Sequence, residues 1–482
     1  VAKEFVGREW ELQQLKKLLE TNIAQFAVIK GRRRIGKSRL IGEFVKHAPK
    51  NTTFVSLSGL PPTPDVTAKD QRDDFARQMG RLFQIPTPYS EDWGDLFWHL
   101  SHHTRDGRYI VLLDEISWMG MEDPTFLGKL KTAWDSMLKN NNKLILILCG
   151  SVSSWIEDNI LKNTGFVGRI DLVLTLEELS MSESLALLGK QSRTLSPFEL
   201  FKVLSVTGGV PRYLETVLLK YSAEENIKRL CFTKGGILFR EFDQIFHDLF
   251  STRSSIYSDL LKTLVAFPRA NLEQIFSSLN REKSGVISHY LSDLIQAGFI
   301  SRDYTWDLRK AKISLLSQYR ISDNYVRFYL KYVEPLKEKI EKGDFNDRSL
   351  STLPGWDTIM GLQFENMVIK NRKTLHQILG INSDEIIQDG PYFQRQTTKR
   401  QGCQVDYLIQ TKYNSFTVCE IKFSKNPVGP SVVQEVRDKI KAMDVPRHVS
   451  CRPVLIHVNG VEDSVIGEDY FASIVNMADF IR

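Results

Sequence analysis

The stretch FAVIKGRRRIGKSRLIGEF, residues 26–44, constrains the fold more than any other part of the chain. An apolar run, FAVIK, enters a loop of the form GxxxxGKS, Gly31 to Ser38, and the loop opens directly into helical spacing. Strand, glycine loop and helix in that order belong to an α/β domain, because a buried parallel strand must be followed by a crossover. The chemistry requires the same order. Backbone N–H groups of the loop and of the helix N-terminus cradle phosphates, Lys37 reaches the β- and γ-phosphates, and Ser38 ligates Mg²⁺. Gly31 and Gly36 leave the backbone free to approach. Gly31, Arg32, Arg33, Arg34, Ile35, Gly36, Lys37 and Ser38, with Arg39 beyond them, are therefore the candidate ATP-binding segment.

Downstream, RYIVLLDEISWM carries an apolar run that ends in Asp114 and Glu115. A buried parallel strand delivers such acids to its C-terminal edge, where ligands of open α/β sheets collect. Asp114 is expected to hold Mg²⁺ through water, and Glu115 to orient or deprotonate the attacking water. An Asp-Glu pair after an apolar run is commonly structural; the upstream loop supplies the functional context. A third run, LILILCGS, ends at Ser151, where a polar side chain could sense the γ-phosphate.

Together with FVGRE at 5–9, GFVGR ending at Arg169 and GGVPRYLE at 208–215, these motifs resemble the AAA+ and related STAND-type ATPases of bacteria and archaea. The resemblance implies a P-loop ATPase core over 1–180 and a helical lid over 181–250. It also implies Ser151 as first sensor, Arg169 as arginine finger or sensor, Pro211 near the adenine and Arg212 as second sensor. A buried or surface-paired arginine is the alternative for Arg169 and Arg212.

In the middle of the chain, IYSDLLKTLVAF, NLEQIFSSL and VISHYLSDLIQAGFI place apolar residues at helical spacing, and FISRDYTW and KISLLSQYRIS read as two strands. Residues 251–335 are thus expected to form a winged helix-turn-helix whose third helix, around Ser288, His289 and Tyr290, faces DNA. A protein-binding adaptor of the same shape stays open, because the basic residues Arg281, Lys283, Arg302, Arg309, Lys310 and Lys312 are offset by acids. The polar run KEKIEKGDFNDRS is expected to be a linker.

Near the C-terminus, QVDYLIQTKYNSFTVCEIKF, residues 404–423, has two β-rich runs around the turn KYNS. The second run puts Glu420 and Lys422 on one face of a strand, and Asp406 lies in the first. Upstream, GLQFENMVIKN suits a helix packed on a sheet, with Glu365 inside it. Glu365 on a helix, Asp406 on a strand, Glu-Ile-Lys on the next and the helical VVQEVRDKIKAM resemble the PD-(D/E)XK nuclease core in order and residue type. The resemblance implies a restriction-endonuclease-like α/β domain over 346–482. In it Asp406 and Glu420 would bind Mg²⁺, or Mn²⁺, Glu365 would complete the metal shell, and Lys422 would position or activate water. The tract FQRQTTKRQG, with Arg395, Lys399 and Arg400, could bind a nucleic-acid backbone or be a solvated loop. A structural ion pair between Glu420 and Lys422 in a silent domain is the alternative.

At 482 residues, several domains are expected, and 42% hydrophobic with 25% charged residues match an ordinary soluble globular protein, with no long apolar run that could span a bilayer. The N-terminal VAKEFVGREW does not read as a signal peptide. Cys149, Cys231, Cys403, Cys419 and Cys451 are scattered without CxxC spacing, which fits a reducing cytoplasm rather than zinc or disulfides. A net charge of +6 permits nucleic-acid binding without demanding it. The expected architecture is a P-loop AAA+ ATPase with helical lid, a winged helix and a nuclease-like α/β domain. The expected function is ATP hydrolysis that controls a metal-dependent DNA endonuclease, in defence or mobile-element control. DNA is the expected partner, and a homo-oligomer is admitted. A signalling ATPase with a silent C-terminal domain and a winged-helix DNA-binding regulator are the rival readings.

Overall fold

The computed structural model describes residues 4–481 except 62, 64, 121–122, 152, 191, 193–194, 251–253, 281–284, 346–347, 399–400 and 444. Arg281, Lys283, Lys399 and Arg400 lie outside the described residues. The chain divides into two compact units, Val1–Glu177 with Gln244–Thr252 and Ser292–Gly298, and Glu178–Asp243 with Arg253–Leu291 and Phe299–Arg482.

The first unit is built on β1 (Gln25–Lys30), β2 (Thr52–Ser58), β3 (Arg108–Asp114), β4 (Leu144–Gly150) and β5 (Leu172–Thr175), in the order β2-β3-β4-β1-β5. Every pairing is parallel. Helices α1 (Glu9–Leu18), α2 (Lys37–Lys46), α3 (Ala68–Phe83), α4 (Trp93–His103) and α5 (Phe126–Ser136) cover it. Alternate side chains of each strand enter opposite layers, so a parallel sheet must be apolar on both faces. Phe26, Val28, Val111, Leu113, Leu146 and Leu148 join Phe75, Trp93, Phe97 and Phe126 in one core. Ala27, Ile29, Ile110, Leu112, Ile145 and Ile147 join Leu15, Leu40 and Phe44 in the other. Because β4 lies between β1 and β3, the chain ends of all three emerge side by side. Lys30 pairs with Gly150 across one ladder, and Leu113 with Leu148 across the next.

In the second unit, helices Met181–Leu188, Pro197–Thr207 and Ala223–Cys231 occupy the expected lid segment. Further on come α6 (Ser254–Ala266), α7 (Leu272–Ser278), α8 (Gly285–Gln296) and an antiparallel hairpin of β6 (Ile300–Asp307) and β7 (Lys312–Ile321). The segment expected as a linker is partly helical, Lys337–Lys342, and ends at Gly343 with φ +84°. Its polar sequence hides two anchors, Ile340 and Phe345, which are buried.

The C-terminal part holds α9 (Trp356–Lys370), α10 (Arg372–Ile378), β8 (Ile386–Gln394), β9 (Cys403–Thr411), β10 (Ser415–Lys422), α11 (Ser431–Ala442), β11 (Ser450–His457) and β12 (Ser473–Asn476). The sheet order is β12-β11-β10-β9-β8, with β8, β9 and β10 antiparallel and β10, β11 and β12 parallel. Asn414, at φ +49°, closes the β9–β10 turn where the sequence placed it. The β6–β7 hairpin is not free: Trp306 and Leu308 share a core with Tyr392, Val405, Leu408, Phe416 and Val418. The Trp306 Nε1–H donates to Gln410 Oε1 at 2.9 Å, which satisfies the indole on burial. Among the described residues no helix is long and apolar enough to cross a membrane.

Candidate functional site

At the end of β1 the chain turns through Gly31 at φ +152°, where a Cβ would lie 2.6 Å from the Leu176 carbonyl oxygen. A side chain there would strike backbone, so the position demands glycine. Gly36, at φ +94°, starts α2 and offers no side-chain cap to its first turn. The N–H groups of that turn and the helix dipole then point toward an anion. Arg32 and Ile35 are buried, so at those positions the loop presents backbone rather than side chains. The buried Lys37 ammonium donates to the carbonyl oxygens of Gly31 (2.9 Å) and Arg32 (3.1 Å), inside the curl of the loop. Arg8, from FVGRE, donates to the carbonyls of Glu177 and Ile35 and pairs with Glu11 at 3.1 Å, tying that motif to the loop.

Just past β3, Glu115 has φ +49°, a left-handed backbone that residues with side chains seldom adopt. Its Oε2 accepts from the Ser151 N–H at 3.1 Å and the Ser151 hydroxyl at 2.8 Å. The Ser38 hydroxyl faces Asp114 Oδ2 at 3.5 Å. Hard oxygens in this arrangement suit Mg²⁺, and Ser38 and Asp114 are the residues that would hold it. The bound ion would neutralise phosphate charge. Lys37 adds a second positive charge from the loop, and Glu115 supplies a carboxylate held in place by Ser151.

In the C-terminal sheet, the β9–β10 ladder runs from Ser415↔Thr411 to Cys419↔Tyr407 and stops. One step further, Asp406 Oδ2 accepts the Ile421 N–H at 2.9 Å, so a side chain replaces the ladder bond where the strands part. Glu420 is 2% exposed; Lys422 reaches its Oε1 at 3.0 Å, and Lys439 of α11 its Oε2 at 2.5 Å. Burial pushes the Glu420 carboxyl up, the charge of Asp406 adds to this, and the two lysines oppose it. Glu365 of α9 pairs with Arg269. Burial pushes Glu365 up as well, with Arg269 opposing and Asp406 reinforcing. The charge of Asp406 thus pushes both glutamates in the same direction. Among the described residues no three acids, histidines or cysteines form a ready metal cage. Here each glutamate faces a cation of its own chain.

Residues 5–217 match a family described as an ATPase domain predominantly from Archaea. The N-terminal region is thus similar to archaeal ATPase domains. An uncharacterized protein of Methanocaldococcus jannaschii is 27% identical over 365 residues, 75% of this chain and 76% of its own length. A Walker-type ATPase of Pyrococcus abyssi has a similar fold, with a TM-score of 0.52 at 18% identity over 68% of this chain and 96% of that one.

Within the ATPase domain, Arg169 forms a fork on Asp135 of α5, Nε to Oδ1 at 2.8 Å and Nη2 to Oδ2 at 2.9 Å. The guanidinium is thus engaged within its own unit, the alternative left open by sequence. Pro211 begins a short helix, Pro211–Leu214, and the half-exposed Arg212 lies 3.7 Å from Glu215. Sequence reasoning missed Lys439 and Arg269. Lys439 carried a signal, since it lies three residues beyond Val436 on the buried stripe of Val432 and Val436. Arg269, in a turn, carried none.

Proposed function

We propose that the chain couples ATP hydrolysis to a Mg²⁺- or Mn²⁺-dependent DNA endonuclease in residues 346–482, with a lid over 181–250 and a winged helix over 251–335. The observation that supports this is the opening of the β9–β10 ladder at Asp406, which accepts the Ile421 N–H at 2.9 Å next to the buried Glu420 and its partner Lys422. Carboxylate oxygens are hard donors, which suit Mg²⁺ or Mn²⁺ better than a soft metal. Glu365, Asp406 and Glu420 would hold the ion, which would polarise the phosphodiester and lower the pKa of a bound water. Lys422 would set positive charge against the developing phosphorane. Ser288 and His289 are exposed on α8, as a DNA-facing helix needs. Control of mobile elements or cellular defence suits this combination.

The rival, a signalling ATPase with a silent C-terminal domain, is favoured by one observation: Arg269, Lys422 and Lys439 already neutralise the two glutamates. Purified protein incubated with DNA and RNA, with and without ATP and Mg²⁺ or Mn²⁺, separates the two. Cleavage that Asp406→Ala abolishes supports the nuclease. Intact ATPase activity without cleavage in any nucleotide state supports the rival.

A further inference from the structure

Lys30 ends β1 and directly precedes Gly31 of the loop, yet its side chain turns away from the loop. In the β1–β4 ladder it stands opposite Gly150, the residue before Ser151. Its ammonium pairs with the Glu157 carboxylate, and the two side chains are 10% and 26% exposed. Gly150 and Glu157 bracket the short stretch that carries Ser151. One residue therefore closes that stretch at both ends, by strand register at the start and by an ion pair at the finish. Lys30 is itself well fixed, since β5 lies on its other side and its carbonyl accepts the Leu176 N–H at 2.8 Å.

The far end is shaped to receive the lysine. The short helix Ser153–Ile156 gives way to the wider turn of a π-helix, Glu157–Leu161, in which the Lys162 N–H donates to the Glu157 carbonyl at 2.9 Å. Such turns are frequent at functional sites. Ile156 and Ile160 are buried in the same core as Phe26 and Val28. Phe26, Val28 and Lys30 alternate onto one face of β1, so the layer that holds the isoleucines also directs Lys30 toward Glu157.

We propose that Lys30 is a positioning residue for ATP hydrolysis: by closing the stretch between Gly150 and Glu157 it holds Ser151, and Ser151 holds Glu115. This rests on the reading of the first unit as an ATPase. Ser151 grips Glu115 with its N–H as well as its hydroxyl, so the grip depends on where the backbone lies and not on a rotamer alone. A misplacement of about 1 Å can slow a positioned catalyst by roughly a hundredfold. Lys30 needs no contact with phosphate or water in this role, because Glu157 already neutralises it.

The test is steady-state ATPase kinetics, nucleotide binding and thermal melting of the full chain. Lys30→Met keeps much of the side chain's length and removes its charge; Lys30→Arg keeps the charge. The expected result is that Lys30→Met lowers kcat about tenfold, with KM and nucleotide affinity within about twofold of wild type, and that Lys30→Arg recovers most of the loss. Because the effect passes through Ser151, adding Lys30→Met to Ser151→Ala should cost less than about a further twofold. Glu157→Ala opens the same clip from its more exposed end and should behave alike, which keeps the test decisive if Lys30→Met does not fold. Losses that multiply in the double variant overturn the proposal. A raised KM with unchanged kcat overturns it too, and would make Lys30 a phosphate ligand. A lower melting temperature with wild-type kcat leaves the ion pair a stabilising contact only and likewise overturns it. Wild-type protein that hydrolyses no ATP removes the ATPase reading and the clip together, whereas hydrolysis indifferent to Lys30→Met and Glu157→Ala overturns the clip alone.

Discussion

The Ser151 hydroxyl donates to Glu115 Oε2 at 2.8 Å, and the Ser151 N–H donates to the same oxygen at 3.1 Å. The contact joins the residue after β3 to the residue after β4, two strands that the sheet order makes neighbours. One oxygen of Glu115 is thereby fixed, which aims the other. If a γ-phosphate binds here, it would compete for the same serine donors.

If Glu115 activates the attacking water, Glu115→Gln binds ATP normally but hydrolyses it about a hundredfold or more slowly, since only proton acceptance is lost. Ser151→Ala keeps the carboxylate but frees its orientation, so turnover at saturating ATP falls by roughly tenfold. Phosphate release and nucleotide binding measured on the same preparations check both. Wild-type turnover in Glu115→Gln removes that residue from the chemistry.

Lys37 has two carbonyl partners in the loop and is placed to exchange them for phosphate oxygens. Lys37→Ala is expected to lose ATP binding by about a hundredfold, measured with a fluorescent nucleotide. Affinity within a factor of about two of wild type would show that backbone donors alone carry the site.

The Arg169 fork holds the Asp135 carboxyl at about 2, below its ordinary 3.8, with Lys131 assisting. A folded-state value below the unfolded one stabilises the fold wherever the unfolded carboxylate is ionised. The contribution is complete above about pH 4 and is lost as pH falls through about 2. Arg169→Ala should therefore melt below wild type at neutral pH, and the gap should close on acidification through that window. Its ATPase rate should stay near wild type. A large loss of hydrolysis with unchanged melting would instead mark Arg169 as a finger or sensor.

The N-terminal domain was legible because its signals are local: a strand of alternating faces, a loop with glycines where a Cβ would strike backbone, and acids at a strand end. The β9–β10 hairpin was legible for the same reason, since period-two alternation fixes which face Glu420 and Lys422 share. What was not legible is the partner of each charge. Arg269 lies 96 positions before Glu365, and nothing in its bend sets it apart from a solvated arginine. The hairpin of β6 and β7 likewise read as a free wing. Trp306 and Leu308 are core residues only because β8 and β9 lie beside them, a fact that no short window of sequence contains.

If the C-terminal domain is the metal-dependent nuclease proposed above, substitutions there separate ligand from catalyst by residue. Asp406→Ala removes a carboxylate that acts on both Glu365 and Glu420, so Mn²⁺ binding and metal-dependent cleavage should both disappear. ATP hydrolysis should stay near wild type, because the residues of that site lie in the other unit. Glu420→Gln is preferable to Glu420→Ala, since its amide oxygen can still accept from one of the two lysines, Lys422 or Lys439, whose buried counter-ion either substitution removes. It should bind metal weakly and not cleave. Lys422 also pairs with Glu435 at 2.7 Å on its exposed side, so Lys422→Ala should fold and still bind metal. Its cleavage should fall by about a hundredfold, because it withdraws charge from the transition state rather than a ligand from the ion. Metal binding lost in Lys422→Ala as well would mean that the lysine acts by orienting Glu420 and not on the phosphate.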